Sequence, residues 1–157
     1  MSSEALGDVL LFNQAYEDAA FLGGAVGYEL YRNSLFSVEL EAGTGALIGD
    51  SNGPQVWGAL YGRWNSFPWN DTVKTSIALS TGVNYTFKRM QFEVDNAAPD
   101  QNRKLLHYFS PEVTFALPDH PDTELVFRVH HRSAVFGLFN CSRCGSDTPT
   151  VGLRHRF

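Results

Sequence analysis

Three polar residues near the end of the chain, His131, Ser133 and Asp147, interrupt a stripe of apolar ones. Alternate side chains of an extended strand point to opposite faces, so residues of one parity share a face. His131 and Ser133 therefore project from the same face as Phe127 and Val129. A hydroxyl, an imidazole and a carboxylate are the groups used in nucleophilic acyl transfer. This stripe is the candidate site of chemistry.

Two antiparallel strands, residues 123–135 and 147–157, are predicted to position these three side chains. In such a pair, residues on neighbouring strands meet across the ladder, so Asp147 can lie beside His131 and Ser133. The opposite parity of the two strands carries five charged residues, which are Glu124, Arg128, Arg132, Arg154 and Arg156.

The same alternation runs through most of the chain, and 14 glycines and 13% aromatic residues also favour β structure. Seven strands are predicted, at residues 20–32, 36–49, 54–67, 75–87, 105–118, 123–135 and 147–157. Pro111 lacks a ladder donor, so a bulge or weak pairing is expected there. A length of 157 residues fits one domain, residues 1–157, in which residues 1–19 form a loop or a partial strand.

Acidic and basic residues balance on the polar faces of these strands. They are Glu29, Glu39, Glu41, Glu112 and Glu124 against Arg63, Arg128, Arg132, Arg154 and Arg156. Such charges can pair inside a narrow lumen, where an unpaired charge would cost several kcal/mol. His130, on the same face, is expected to join this network. The prediction is an all-β fold, a small antiparallel transmembrane β-barrel of about eight strands whose apolar face is outside.

Loop lengths agree with a barrel in the bacterial outer membrane, whereas the odd number of predicted strands does not. Turns at 32–36, 66–74 and 118–122 are shorter than the longest connection at the other end, 88–104, and aromatic residues gather near strand ends. Single-chain bacterial barrels have an even number of strands, so an eighth is expected. It is either residues 6–14 or a strand upstream of Met1, and the second alternative is favoured.

Composition argues against several other functions. The net charge of −5 and the pI of about 5.4 show no footprint of nucleic-acid binding. Cys141 and Cys144 have the spacing of a zinc or redox pair, but no second ligand pair follows. A disulfide or an incidental pair is expected there, with neither a metal nor a cofactor.

Two segments resemble known outer-membrane proteins. The ending TVGLRHRF, with its terminal Phe157, resembles the signature by which the barrel-assembly machinery recognises its clients. The segment FRVHHRSAVFG resembles the active-site strand of the PagL-type lipid A 3-O-deacylases, which are small eight-stranded barrels. Arg128, His131 and Ser133 stand at the matching positions. Asp147 stands where that family has Glu, and Ala134 where it has Asn.

The resemblance implies a deacylase of lipid A that needs no cofactor. Ser133 would be the nucleophile, His131 its general base and Asp147 the group that orients the imidazole. Lipid A phosphates would meet Arg132, with Arg103 or Lys104, at the rim of the barrel.

Two alternatives stay open. One is a non-catalytic outer-membrane barrel with a structural role or a binding role in its loops. The other is a soluble barrel around a small apolar ligand, which requires the charged faces to point to water.

Overall fold

The computed structural model describes residues 19–49, 53–88, 104–135 and 145–157. Within these ranges the chain is all-β, as the alternation predicts, and it forms eight antiparallel strands in one sheet. The strands are β1 Ala19–Arg32, β2 Phe36–Gly49, β3 Gly53–Trp64, β4 Lys74–Thr86, β5 Leu105–Phe109, β6 Pro111–Leu117, β7 His120–Ser133 and β8 Gly145–His155. In the part of the chain that is described, no helix is long and apolar enough to cross a membrane.

Each strand pairs with its sequence neighbour, except around Ser110. There the fifth predicted segment divides into β5 and β6, which both pair with β4 on one side and with β7 on the other. The two short strands thus lie end to end between β4 and β7 and together occupy one strand position, or line, of the sheet. The break lies beside Pro111, where weak pairing is expected. The sheet therefore has seven lines, and β1 and β8 run in the same direction.

The distribution of polarity is the reverse of that in a soluble domain. Phe127 and Leu153 are 40% and 79% exposed, whereas the side chains of Arg128 and Arg154 are only 12% and 20% exposed. Most large apolar side chains are exposed in the same way along the other strands. In the described strands the charged parity therefore faces the interior, whereas a soluble barrel would direct it to water.

Glu112 is at the centre of the buried charges. Its carboxylate accepts hydrogen bonds from Arg63 at 2.6 Å, from Arg128 at 2.8 Å and from Arg154 at 2.7 Å. Glu41 accepts two bonds of 2.8 Å from the Arg128 guanidinium. These partners come from β2, β3, β6, β7 and β8, so the charges link strands that are distant in sequence. Because each carboxylate has basic partners, the desolvation cost of burying it is offset.

Aromatic side chains fill the interior next to these charges. Trp57 donates to Glu41 at 2.9 Å, and the Arg128 guanidinium lies 5.0 Å from the centre of the Tyr61 ring. His130 is buried against Trp57 and Tyr108. Its Nε2 lies 3.1 Å from both Gln55 Oε1 and Asn84 Nδ2. This nitrogen thus meets amide side chains, while the charges of Arg132 and Arg128 act on the ring from nearby.

Three connections lie at one end of the sheet, two short ones at residues 33–35 and 118–119 and a longer one at 65–73. In the first, Asn33 Oδ1 accepts from the backbone N–H groups of Leu35 and Phe36 at 2.8 Å. The connections at the other end, residues 50–52, 89–103 and 136–144, lie outside the described residues, as does the segment 6–14. Ser133 ends β7 and Gly145 begins β8, so the candidate site is at that other end.

Candidate functional site

His131 and Asp147 are brought together by the pairing of β7 with β8. They are direct partners in the register, and His131 Nδ1 lies 2.5 Å from Asp147 Oδ1. With Nδ1–H donating to the carboxylate, Nε2 of the ring is left to accept a proton. Asp147 is only 2% exposed, so solvent competes little for this bond. The predicted pairing of these two residues is thus found in the structure.

Phe109 supports the imidazole from the other side. It is the register partner of His131 on β5, and its ring meets the imidazole edge-on, with centroids 6.2 Å apart and planes at 86°. His131 therefore sits between a carboxylate and an aromatic ring, and both neighbours restrict its orientation.

Ser133 lies on the same face as His131, two residues further along β7. Two residues of a strand span roughly 6.6 Å, which a serine and a histidine side chain can bridge by leaning towards each other. Within the described residues, no hydrogen bond joins Ser133 to His131. Such catalytic bonds are often long before substrate binds. The structure thus places the three predicted residues on one face and bonds two of them.

The backbone around Ser133 is crowded on one side. A Cβ built on Gly145, the register partner of Ser133 on β8, would lie 2.6 Å from the Arg132 carbonyl oxygen. Only glycine fits there, so the register partner of Ser133 on β8 presents no side chain. Val135, just beyond the strand, has φ of 45°, an uncommon value for a β-branched residue. Strained backbone of this kind clusters at functional sites.

The three predicted phosphate-binding residues have different positions. Arg132 points inward with no exposed surface, and its Nη2 lies 3.5 Å from the Lys104 carbonyl oxygen. A rim position for Arg132 is therefore corrected, because its parity places it with the buried charges. Lys104 is exposed and immediately precedes β5. Arg103 lies outside the described residues.

Arg128 and Ala134 complete the positions on which the resemblance rests. Arg128 belongs to the buried charge network described above and points away from Ser133. Ala134 is buried and has no polar side chain, so it cannot supply the hydrogen bond that an Asn would offer.

The sequence interpretation overlooked His107. It is the register partner of Ser133 on β5, which gives Ser133 an imidazole neighbour on the side away from Gly145. The parity of Leu105–Phe109 indicates that His107 faces outward. Its position opposite Ser133 depends on the pairing of β5 with β7, across 26 residues of chain.

Within residues 19–49, 53–88, 104–135 and 145–157, no group of three His, Cys, Asp or Glu side chains is arranged to hold a metal ion. Cys141 and Cys144 lie outside those ranges, so their state stays a prediction.

Comparison of the chain with known proteins identified no relative. No protein-family description matches the chain, and neither the curated proteins nor the solved structures include a significant match.

Proposed function

We propose that this chain is an outer-membrane β-barrel that hydrolyses an ester-linked acyl chain of lipid A. The observation that carries the proposal is that Ser133, His131 and the buried Asp147 share the parity of the exposed apolar side chains, with His131 Nδ1 2.5 Å from Asp147 Oδ1. A lipid substrate can reach such a group without leaving the bilayer.

The exposed face supports the membrane part of the proposal. Leu22, Val26 and Leu153 are 71%, 74% and 79% exposed, although water would disfavour each of them. Apolar strands facing outward and a polar interior are the pattern of outer-membrane barrels. Aromatic pairs near the strand ends, such as Tyr31 with Phe36 and Tyr85 with Phe87, suit the two membrane interfaces.

Closure of the barrel requires one more antiparallel line between β1 and β8. These strands run in the same direction, and in the described residues each has one neighbour only. A cleft of about 840 Å³ lies between them, lined by Val26 and Tyr28 on one side and Leu153 on the other. Arg156 reaches across at one end and donates to Glu39 at 3.1 Å. An unpaired edge in a bilayer leaves polar backbone groups without partners, so an added strand would be strongly favoured.

The proposed reaction needs only groups of this chain, an ester and water. Ser133 Oγ attacks the ester carbonyl carbon and its proton passes to His131 Nε2, while Asp147 stabilises the imidazolium. The tetrahedral intermediate collapses as the bond to the sugar oxygen breaks, and that oxygen takes the proton from His131. Water then attacks the acyl-serine with His131 as base, which releases the fatty acid and restores Ser133.

Lipid A is the proposed substrate because it carries ester-linked acyl chains in the outer leaflet. Lys104, exposed at the same end of the sheet, is available for its phosphates, and Arg103 precedes it in the chain. Phe157, fully exposed at the end of the chain, is proposed to be the contact for the barrel-assembly machinery.

The test is the acylation of lipid A in Gram-negative cells that overproduce the protein, measured by mass spectrometry. The wild type is expected to remove an acyl chain, and Ser133→Ala to leave lipid A intact. Ser80→Ala is the matched control, because Ser80 is buried on the inward face and its hydroxyl makes no hydrogen bond to a described residue. If Ser133→Ala and wild type produce the same lipid A species, the triad is rejected.

A non-catalytic barrel is the second candidate. The missing bond between Ser133 and His131 favours it, because polar side chains near a strand end also suit the headgroup region without any chemistry. It predicts unchanged lipid A even when the wild-type protein is abundant in the membrane.

A further inference from the structure

Ser133 has one register partner on each neighbouring strand, and only one of the two has a side chain. Gly145 on β8 presents no side chain, whereas His107 on β5 presents an imidazole. Residues directly opposite each other in an antiparallel pair have Cβ atoms about 4.5–5.5 Å apart. The imidazole of His107 is therefore within reach of any group bound to Ser133 Oγ.

Thr81 holds the ring of His107 from the neighbouring strand. Thr81 Oγ1, on β4, lies 2.9 Å from His107 Nε2. When the hydroxyl donates to Nε2, the ring proton is on Nδ1. Within the described residues, Nδ1 makes no hydrogen bond. In that tautomer Nε2 is anchored to Thr81 and Nδ1–H has no other described partner, on a residue that is paired with Ser133 in the register.

The reaction at Ser133 requires a donor of this kind. Attack on an ester places negative charge on the carbonyl oxygen, and donors aimed at that charge are usually a large part of catalysis. Ala134 lacks a polar side chain, and Gly145 has none. His131 is committed to Asp147 on its Nδ1 side, and its other nitrogen is needed as the base.

We propose that His107 donates a hydrogen bond to the oxyanion formed when Ser133 attacks an ester. The inference rests on the proposed hydrolase function and extends it to a residue on a different strand. Each of the two imidazoles then has its own role. His131, paired with a carboxylate, moves the proton, and His107, paired with the Thr81 hydroxyl, stays neutral and stabilises charge.

The experiment measures hydrolysis of a medium-chain p-nitrophenyl ester by the purified full chain in detergent micelles. His107→Ala is expected to lower kcat by about 10²–10³-fold, the usual loss of one oxyanion donor, with KM unchanged. His107→Asn keeps an N–H donor but cannot act as a base, so it should recover part of that loss. Thr81→Val should lower kcat by a smaller factor, because the ring loses its anchor.

The chain offers a matched control for both changes. His155 and Thr123 form a similar pair on the exposed face of the other end of the sheet, with Nδ1 and Oγ1 3.2 Å apart. His155→Ala and Thr123→Val should leave kcat unchanged. Far-UV circular dichroism on heating shows whether each variant is folded. If His107→Ala does not fold, the milder Thr81→Val variant tests the role of His107 in stabilising the oxyanion.

The outcomes separate this inference from the proposed function. If the wild type hydrolyses the ester, Ser133→Ala abolishes the activity and His107→Ala retains full kcat, only the role of His107 is overturned. The same holds if His107→Asn is as inactive as His107→Ala. If no hydrolysis depends on Ser133, the proposed function and the role of His107 are both overturned.

Discussion

Arg63 donates from Nη2 to Glu112 Oε1 at 2.6 Å, and neither side chain has any exposed surface. The two residues are 49 positions apart in the chain and lie on β3 and β6. Ser76 accepts a further bond from the same guanidinium at 2.8 Å. A fully buried ion pair of this kind is retained only when its remaining donors and acceptors are also satisfied. The interior of this sheet is therefore built around charge.

Removal of the Glu112 carboxylate should lower the stability of the folded protein. Glu112→Gln leaves the guanidiniums of Arg63, Arg128 and Arg154 without their shared acceptor charge, and should lower the free energy of unfolding by about 3–5 kcal/mol. Urea titration in lipid vesicles measures it. Glu29→Gln is the control, because Glu29 and its partner Arg32 are 34% and 45% exposed. It should cost under about 1 kcal/mol. Equal losses for the two variants would contradict the proposed role of the network.

The exposed apolar face can be tested with one added charge. Leu153→Arg places a guanidinium at a site 79% exposed, where a bilayer would oppose it by about 2–4 kcal/mol at mid-depth. The folded fraction in vesicles should fall. Asp119→Arg, in the exposed turn between β6 and β7, is the control and should have little effect. Folding of Leu153→Arg in water without detergent would argue against a membrane location.

Close packing of neighbouring strands should make Gly82 sensitive to substitution. A Cβ on Gly82 would lie 2.1 Å from the carbonyl oxygen of Gly58 and 2.6 Å from the Cα of Ala59, and backbone atoms cannot move aside easily. Gly82→Ala should destabilise the protein by about 1–3 kcal/mol, as overpacking does. A Cβ on Gly62 would meet no described atom within 4 Å, so Gly62→Ala should be tolerated. Thermal unfolding of both variants in the same detergent compares their stabilities, and equal melting temperatures would contradict the prediction.

The carboxylate of Asp147 should matter to the reaction more than to folding. Asp147→Asn keeps the size of the side chain but no longer stabilises the imidazolium of His131, so kcat for ester hydrolysis should fall by about 10⁴-fold. The melting temperature measures any loss of folding. Asp122→Asn, at an exposed position of β7, serves as control. Unchanged kcat for Asp147→Asn would remove Asp147 from the site.

Strand pattern was the part of this structure most open to prediction. Parity placed Leu153 and Arg154 on opposite faces, because a strand has a period of two residues whatever it pairs with. It also put Ser133 and His131 on one face. Pro111 marked the break between β5 and β6, since proline cannot donate to the ladder. Each of these features depends on local chain geometry alone.

Partners across the sheet were decided by the tertiary structure. Nothing local to His107 indicates Ser133 as its neighbour, and nothing local to His130 indicates Gln55 and Asn84. Five acidic residues and five arginines allow many pairings, and only the register of β3, β6, β7 and β8 selects Glu112 as the shared acceptor. The sequence by itself determined which face each side chain occupies, because alternation follows from the backbone of one strand. The contacts between side chains on different strands were decided by strand pairing, since hydrogen bonds between distant segments set the register.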